Sequence, residues 1–313
     1  MKEKILLGFA IWNYNMNILE LTNPEFYTDY EKCLSFLDSV DFNQPKDYKT
    51  NFHTYSEIKS EKELMVVKSF LATQNLEKSN FILWSDYDIS NNELLEPFKE
   101  YIEFKVFDPK IESMGTCLSN KEQHLNSNDN LYWLKSDLFR ILITHKYGGV
   151  FTDMDFIYLN DFSPLLDYEF TYQWGSELSF DGFGTCGTVM KLDKESELSK
   201  LMLDELCESS IHPNTTVWGK DLFAKVYRKH KFVVFPSTFF NTEWMINKKY
   251  PGKGDATERG WFTPNQYSND LFINTFGWHW HNSSHKNKVV NEGSKFDLLS
   301  KHIDNKLKKK GIL

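Results

Sequence analysis

The chain has 313 residues, with 36 Lys+Arg against 44 Asp+Glu for a formal net charge of −8. That acidic balance excludes a protein whose main partner is a nucleic-acid backbone, because such binding needs a basic face to displace counterions. The longest apolar stretch, Ile5 to Trp12, is far short of the approximately 20 residues that span a bilayer, and 26 Phe, 15 Tyr and 9 Trp supply more aromatic surface than a core alone demands.

Lys2 and Lys4 imitate the start of a signal peptide, but Trp12-Asn13-Tyr14-Asn15 offers no small-residue cleavage site, so Ile5 to Ile11 reads as a first buried strand. Glu61 to Leu76 has helical spacing through Leu64, Val67, Lys68 and Leu71, and Phe81 to Trp84 is a strand-length apolar run. Tyr101 to Phe107 alternates as another strand. Leu131 to His145 is a strongly periodic helix ended by Gly148-Gly149, and Val150 to Thr152 follows as a short strand. Thr185 to Leu192 and Phe232 to Phe235 read as later strands, with helices near Glu195 to Glu208 and Lys220 to Lys229. Alternation of this kind predicts an α/β fold with a mostly parallel sheet. Internal repeats and Pro/Gly/Ser linkers are absent, so one domain over 1–313 is expected. Cys33, Cys117, Cys186 and Cys207 are scattered without zinc or redox spacing, and a reducing compartment is the simpler inference.

Chemistry concentrates between Lys135 and Asp155. Ligands of α/β sheets sit at the carboxyl ends of strands, where Asp153 and Asp155 fall if Val150 to Thr152 is the strand. Two carboxylates at that spacing suit a hard divalent cation that keeps substrate phosphates in its shell. Asp137 and Arg140, at i and i+3, share a helix face and suit each other or a ligand's hydroxyls. Taken singly, the aspartates also fit a solvated turn and the Asp/Arg pair a surface ion pair.

The ordered block Ser136-Asp137-Leu138-Phe139-Arg140, then Gly148-Gly149, then Asp153-Met154-Asp155, closely resembles the core of glycosyltransferase family 32, the sugar-transferase region with the Asp-x-Asp signature. It is similar too to the glucosyltransferase domain of large clostridial toxins. Phe9-Ala10-Ile11-Trp12 and Trp84-Ser85-Asp86 resemble that family's early strands. Thr216 to Phe223 and Phe276-Gly277-Trp278-His279-Trp280-His281-Asn282 resemble the α1,4-galactosyltransferase branch that includes globotriaosylceramide synthase. Two departures stand out: His281 occupies a position of Trp, and Cys186-Gly187 a position of Asn-Gly or Asn-Asn.

The resemblance implies a GT-A type fold and a metal-dependent hexosyltransferase using Mn²⁺ or Mg²⁺ and a UDP-hexose donor. The sugar would pass, with retention, to a glycan, glycolipid or polysaccharide. A noncatalytic sugar-nucleotide-binding protein and a toxin-like modifier of a protein acceptor are the alternatives. Trp12 would stack on the base; Asp137 and Arg140 would hold sugar hydroxyls. Asp153 and Asp155 would serve ribose and metal, with His279 as the third ligand and Asn282 as a helper. Residues 1–160 would form the donor half, 161–290 the acceptor half and C-terminal lid, and 291–313 a basic helix. Were retention to proceed through a covalent intermediate, Glu177 and Asp181 are the available carboxylates; a front-face reaction needs neither. Zinc is the rival use of His279, His281 and His285, and Trp174, Trp218, Trp261 and Trp278 are candidate sugar platforms. Lys306, Lys308, Lys309 and Lys310 would meet an anionic membrane or simply end a solvated helix. Golgi members of the family carry a membrane anchor ahead of the first strand, so a cytoplasmic enzyme of bacterial or viral type is expected.

Overall fold

The computed structural model describes residues 30–127, 133–173, 185–211, 217–241 and 259–313. The expected strand Ile5 to Ile11, Trp12, Trp174, Glu177 and Asp181 lie outside them. In chain order the elements begin with α1 (Tyr30–Ser39), β1 (Thr50–Tyr55), α2 (Glu61–Thr73), β2 (Ser79–Ser85), β3 (Ile102–Val106) and the one-turn helices α3 (Pro109–Glu112) and α4 (Glu122–Leu125). They continue with α5 (Trp133–Tyr147), β4 (Gly149–Thr152), β5 (Phe156–Tyr158), β6 (Phe170–Gln173), β7 (Thr185–Leu192), α6 (Glu197–Glu208), α7 (Lys220–Lys229), β8 (Val233–Phe235), β9 (Gly277–His279), the one-turn α8 (Asn282–His285) and α9 (Lys295–Lys310).

Among the described residues seven strands form one sheet in the order β3-β2-β1-β4-β7-β6-β8, in which β7 alone runs against its neighbours. Successive side chains of β2 show how the sheet is covered. Phe81 and Leu83 enter one apolar cluster, with α2 and α9; Ile82 and Trp84 enter the other, with α5, α6 and α7. A strand buried on both faces reads as a continuous apolar run, and Phe-Ile-Leu-Trp does so.

The central strand β1 was not visible by that criterion, because Thr50-Asn51-Phe52-His53-Thr54-Tyr55 is half polar. Its buried His53 and Thr54 are satisfied internally: His53 Nε2 bonds Gly148 O at 3.0 Å, His53 Nδ1 accepts from Trp84 Nε1 at 3.2 Å, and Thr54 Oγ1 meets Thr152 Oγ1 at 3.0 Å. The α5 to β4 turn needs both its glycines, Gly148 at φ 67° and Gly149 at φ 106°; a Cβ on Gly149 would strike the Asn51 carbonyl.

The last helix buries Phe296, Leu299, Ile303 and Leu307 against α2, where Lys68 pairs with Asp304 at 2.5 Å. Its basic end is partly committed inward: Lys306 Nζ donates to Leu159 O, and Lys310 Nζ to the carbonyls of Leu71 and Gln74. Lys308 and Lys309 are exposed. Among the described residues no helix is long and apolar enough to cross a membrane.

One expectation from the cysteines is corrected. Cys117 and Cys207, 90 residues apart, form a disulfide that ties the segment before α4 to α6, while Cys33 and Cys186 are buried and form no disulfide. A reducing compartment does not account for that bond; its partners meet only through the packing of α6, which spacing does not reveal.

Candidate functional site

Asp153 and Asp155 leave the carboxyl end of β4, and two polar groups form around them. The first belongs to α5. Arg140 Nη2 lies 2.8 Å from Asp137 Oδ1 and 3.6 Å from Asp153 Oδ1, while Ser136 Oγ donates to Asp153 Oδ1 at 3.3 Å. The guanidinium lies over the Phe151 ring, and Gly187 of β7 leaves room for it, since a Cβ there would sit 2.6 Å from Arg140 Nη1. Burial pulls the Arg140 pKa down, but Asp153 and Asp137 more than offset this and hold it above its usual value. Burial pushes the Asp153 carboxyl up, with Asp155 adding to the rise and Arg140 opposing it.

The second group is built by chain reversal. β5 and β9 pair antiparallel, with Phe156 opposite His279, and Trp280 N donates to Asp155 O at 2.9 Å. β9 ends at His279 because His281 is left-handed, at φ 56° and ψ 66°. That turn directs the Asn282 amide back onto Asp155 Oδ2 at 2.7 Å, the same oxygen that lies 3.3 Å from His279 Nε2. Burial would raise Asp155, yet the His279 ring and the Asn282 amide outweigh it and hold the carboxyl below its ordinary value. On its other edge His279 Nδ1 lies 3.3 Å from the Tyr172 hydroxyl, which accepts from Asn241 Nδ2 at 3.0 Å and also bonds Cys186.

The imidazole therefore has two proton arrangements. With Nε2 protonated it donates to Asp155; with Nδ1 protonated it donates to Tyr172, and Nε2 turns a lone pair toward the carboxylate. The second arrangement suits a cation. Cis ligands of an octahedral ion with bonds of about 2.1 Å lie roughly 3.0 Å apart, close to the 3.3 Å between Nε2 and Oδ2. Among the described residues no three His, Cys, Asp or Glu side chains converge as a metal-binding group. The pair fits an ion that draws its remaining ligands from substrate and water, and the three-histidine zinc arrangement is absent from these residues. His279 and His281 do lie together, with ring centroids 3.8 Å apart, while the His285 ring packs on Phe262. The left-handed turn at His281 brings the two rings together. Burial, followed by His279, His285 and Arg259, holds His281 well below the usual histidine range.

Asp155, His279 and Asn282 are thus brought together, as are Asp137, Arg140 and Asp153. Asn282 takes part through its main-chain amide, and Asp153 turns toward Ser136 and Arg140. Trp218, Trp261 and Trp278 are core residues, the first donating its indole N–H to Ser209 Oγ. Tyr172 and Asn241 were not found from the sequence, since a tyrosine in a short buried strand carries no signal of the ring it touches.

A family model described as the glycosyltransferase sugar-binding region containing the DXD motif matches residues 16–172. No curated protein matches the chain in sequence. Among solved structures, the WbbM bifunctional glycosyltransferase in its apo form superposes with a TM-score of 0.50 at 11% identity, over 86% of this chain and 52% of that one. GlyE, an apo-form glycosyltransferase of Streptococcus pneumoniae TIGR4, gives 0.47 at 11%, over 85% and 64%. Mouse xyloside xylosyltransferase 1, apo form, gives 0.46 at 10%, over 76% and 98%. The chain spans about half of the WbbM chain. At these identities the likeness is one of fold, the mostly parallel, helix-flanked sheet of the GT-A type.

Proposed function

The chain belongs to the glycosyltransferase family defined by the sugar-binding region containing the DXD motif, and from that premise we propose that it moves a hexose from a UDP-sugar to a glycan, glycolipid or polysaccharide hydroxyl with retention. The observation that carries this reading is the pairing of Asp155 with His279 Nε2 at 3.3 Å at the carboxyl end of β4, beside the Asp137–Arg140–Asp153 group.

In the reaction the bond between the anomeric carbon and the diphosphate oxygen breaks, the acceptor oxygen bonds to that carbon, and the acceptor proton passes to the departing phosphate. Asp155 and His279 would hold Mn²⁺ or Mg²⁺, which supplies electrostatic stabilisation of the diphosphate charge. Arg140, kept cationic by its aspartates, orients Asp137 and Asp153 toward the hydroxyls of sugar and ribose. The Asn282 amide and the Tyr172 hydroxyl keep Asp155 and His279 in register, so little reorganisation is needed as charge develops. Trp12, on which the base would stack, completes the donor site in this reading. A front-face path needs no carboxylate beneath the sugar, which favours it over a covalent intermediate on Glu177 or Asp181.

The test is UDP release from UDP-Gal, UDP-Glc, UDP-GlcNAc and UDP-GalNAc, with GDP-mannose for comparison, in Mn²⁺, in EDTA, and in the Asp155→Asn chain. Turnover of one donor that falls at least about 10²-fold on chelation and on substitution supports the reading, losses of about 10²–10³ being usual for a group that stabilises transition-state charge. Metal-dependent binding without turnover, acceptor present, would favour the noncatalytic alternative, and absence of binding would refute the donor site.

A further inference from the structure

Lys62 stands outside both polar groups, in the first turn of α2, yet its ammonium is fully engaged with the segment that completes the site. Its Nζ donates to the carbonyls of His285 at 2.9 Å, Lys286 at 2.7 Å and Lys288 at 2.9 Å. An ammonium has three donors, and all three are used. The same nitrogen lies 5.3 Å from the Phe262 ring centroid and 5.6 Å from that of Trp280, within the range of cation–π attraction. Burial lowers the Lys62 pKa.

These contacts fall on either side of the strained turn. Trp280 precedes His281, whose left-handed backbone is costly for a residue with a Cβ and persists only where its surroundings fix it. α8 follows directly: its first amide, Asn282 N–H, donates to Asp155, and its last carbonyl, that of His285, accepts from Lys62. The one-turn helix is therefore held at one end by a carboxylate of the site and at the other by a lysine of α2, itself fixed by the Ser60 cap and by the Lys59 amide donating to Glu63.

We infer that Lys62 is a positioning residue for the metal and donor site: its ammonium holds the 280–288 segment in the one conformation that delivers the Asn282 amide and the His279 ring to Asp155. This inference rests on the proposed function only for its consequence in binding, since the backbone arrangement is independent of what the site holds.

The experiment compares wild type with Lys62→Met, Lys62→Gln, Lys62→Arg and Asp155→Asn by two readouts: hydrogen exchange of the segment 281–286, and affinity for Mn²⁺ alone, followed by the electron paramagnetic resonance of the free ion. Lys62→Met and Lys62→Gln are expected to speed exchange of 281–286 at least tenfold, with β2 still protected, and to weaken Mn²⁺ binding on the order of tenfold, the usual loss when a group supporting a ligand is removed. Lys62→Arg, which restores the cation and its donors, is expected to recover most of both. Wild-type exchange in the Met and Gln chains would overturn the inference. Equal Mn²⁺ uptake by wild type and Asp155→Asn would overturn the metal reading instead, leaving the exchange readout to decide the role of Lys62.

Discussion

The Asp137–Arg140–Asp153 group ends two residues before the Asp155–His279–Asn282 group begins, and the two are held in opposite ways. The first sits on a regular helix and at the end of a regular strand, with one guanidinium between two carboxylates. The second joins segments 127 residues apart through a three-residue strand pair, a left-handed histidine and a main-chain amide. Removing a member of the first should therefore cost fold stability, and removing a supporting member of the second should cost ligand affinity while the fold survives.

The largest effect is expected from Arg140→Met. Asp137 would stay buried, and Asp153 half-buried, without their cation; loss of one partner of a buried pair destabilises by about 3–5 kcal/mol, measurable by urea unfolding. A loss below 1 kcal/mol would mean that this group is not the charge-balanced core of the helix–strand junction.

Next in size is a background that any pH study of the site must subtract. His53 is buried, and desolvation lowers its pKa from 6.5 to about 4, against the bond to Gly148. The folded chain thus keeps it neutral where the unfolded chain takes up a proton. Its contribution to stability is whole above about pH 6.5 and is lost as the pH falls toward 4, amounting to about 2–3 kcal/mol at pH 4.5. Urea unfolding at pH 7 and 4.5 should show a pH dependence smaller by that amount in His53→Gln; equal dependence in the two chains would remove His53 from the account.

The smallest effect falls in the second group. Tyr172→Phe takes the partner from His279 Nδ1 while keeping the ring in the core, so Mn²⁺ affinity is expected to fall about tenfold in a chain that still folds, less stable by about 1–2 kcal/mol because the Asn241 amide loses its acceptor. An unaltered affinity would mean that the imidazole is oriented by Asp155 alone.

The same contrast explains what was legible in the sequence. Ser136 to Asp155 is local: helical spacing puts Asp137 and Arg140 on one face, and Gly148-Gly149 ends the helix one strand short of the aspartates. Helix Lys220 to Lys229 and strand Thr185 to Leu192 were bounded to the residue, since their apolar periods match their burial. β1 was missed because it is rich in polar residues, of which His53 and Thr54 are satisfied by partners on β2, β4 and the glycine turn. His279 was found by resemblance, whereas Tyr172 and Lys62 act through contacts of 107 and more than 220 residues in separation, which no local pattern encodes.

The pairing of β5 with β9 also has a consequence in time. Asp155 leaves the ribosome well before Asn282, 127 residues later in the chain, and at translation rates of 5–20 residues per second the interval is about 6–25 s. By the end of that interval all seven strands of the main sheet have emerged with their partners, while β5 and the aspartate after β4 still wait for theirs. The nascent chain thus passes through a stage with its scaffold largely synthesised and its second polar group still missing, and only the arrival of the final helices completes it.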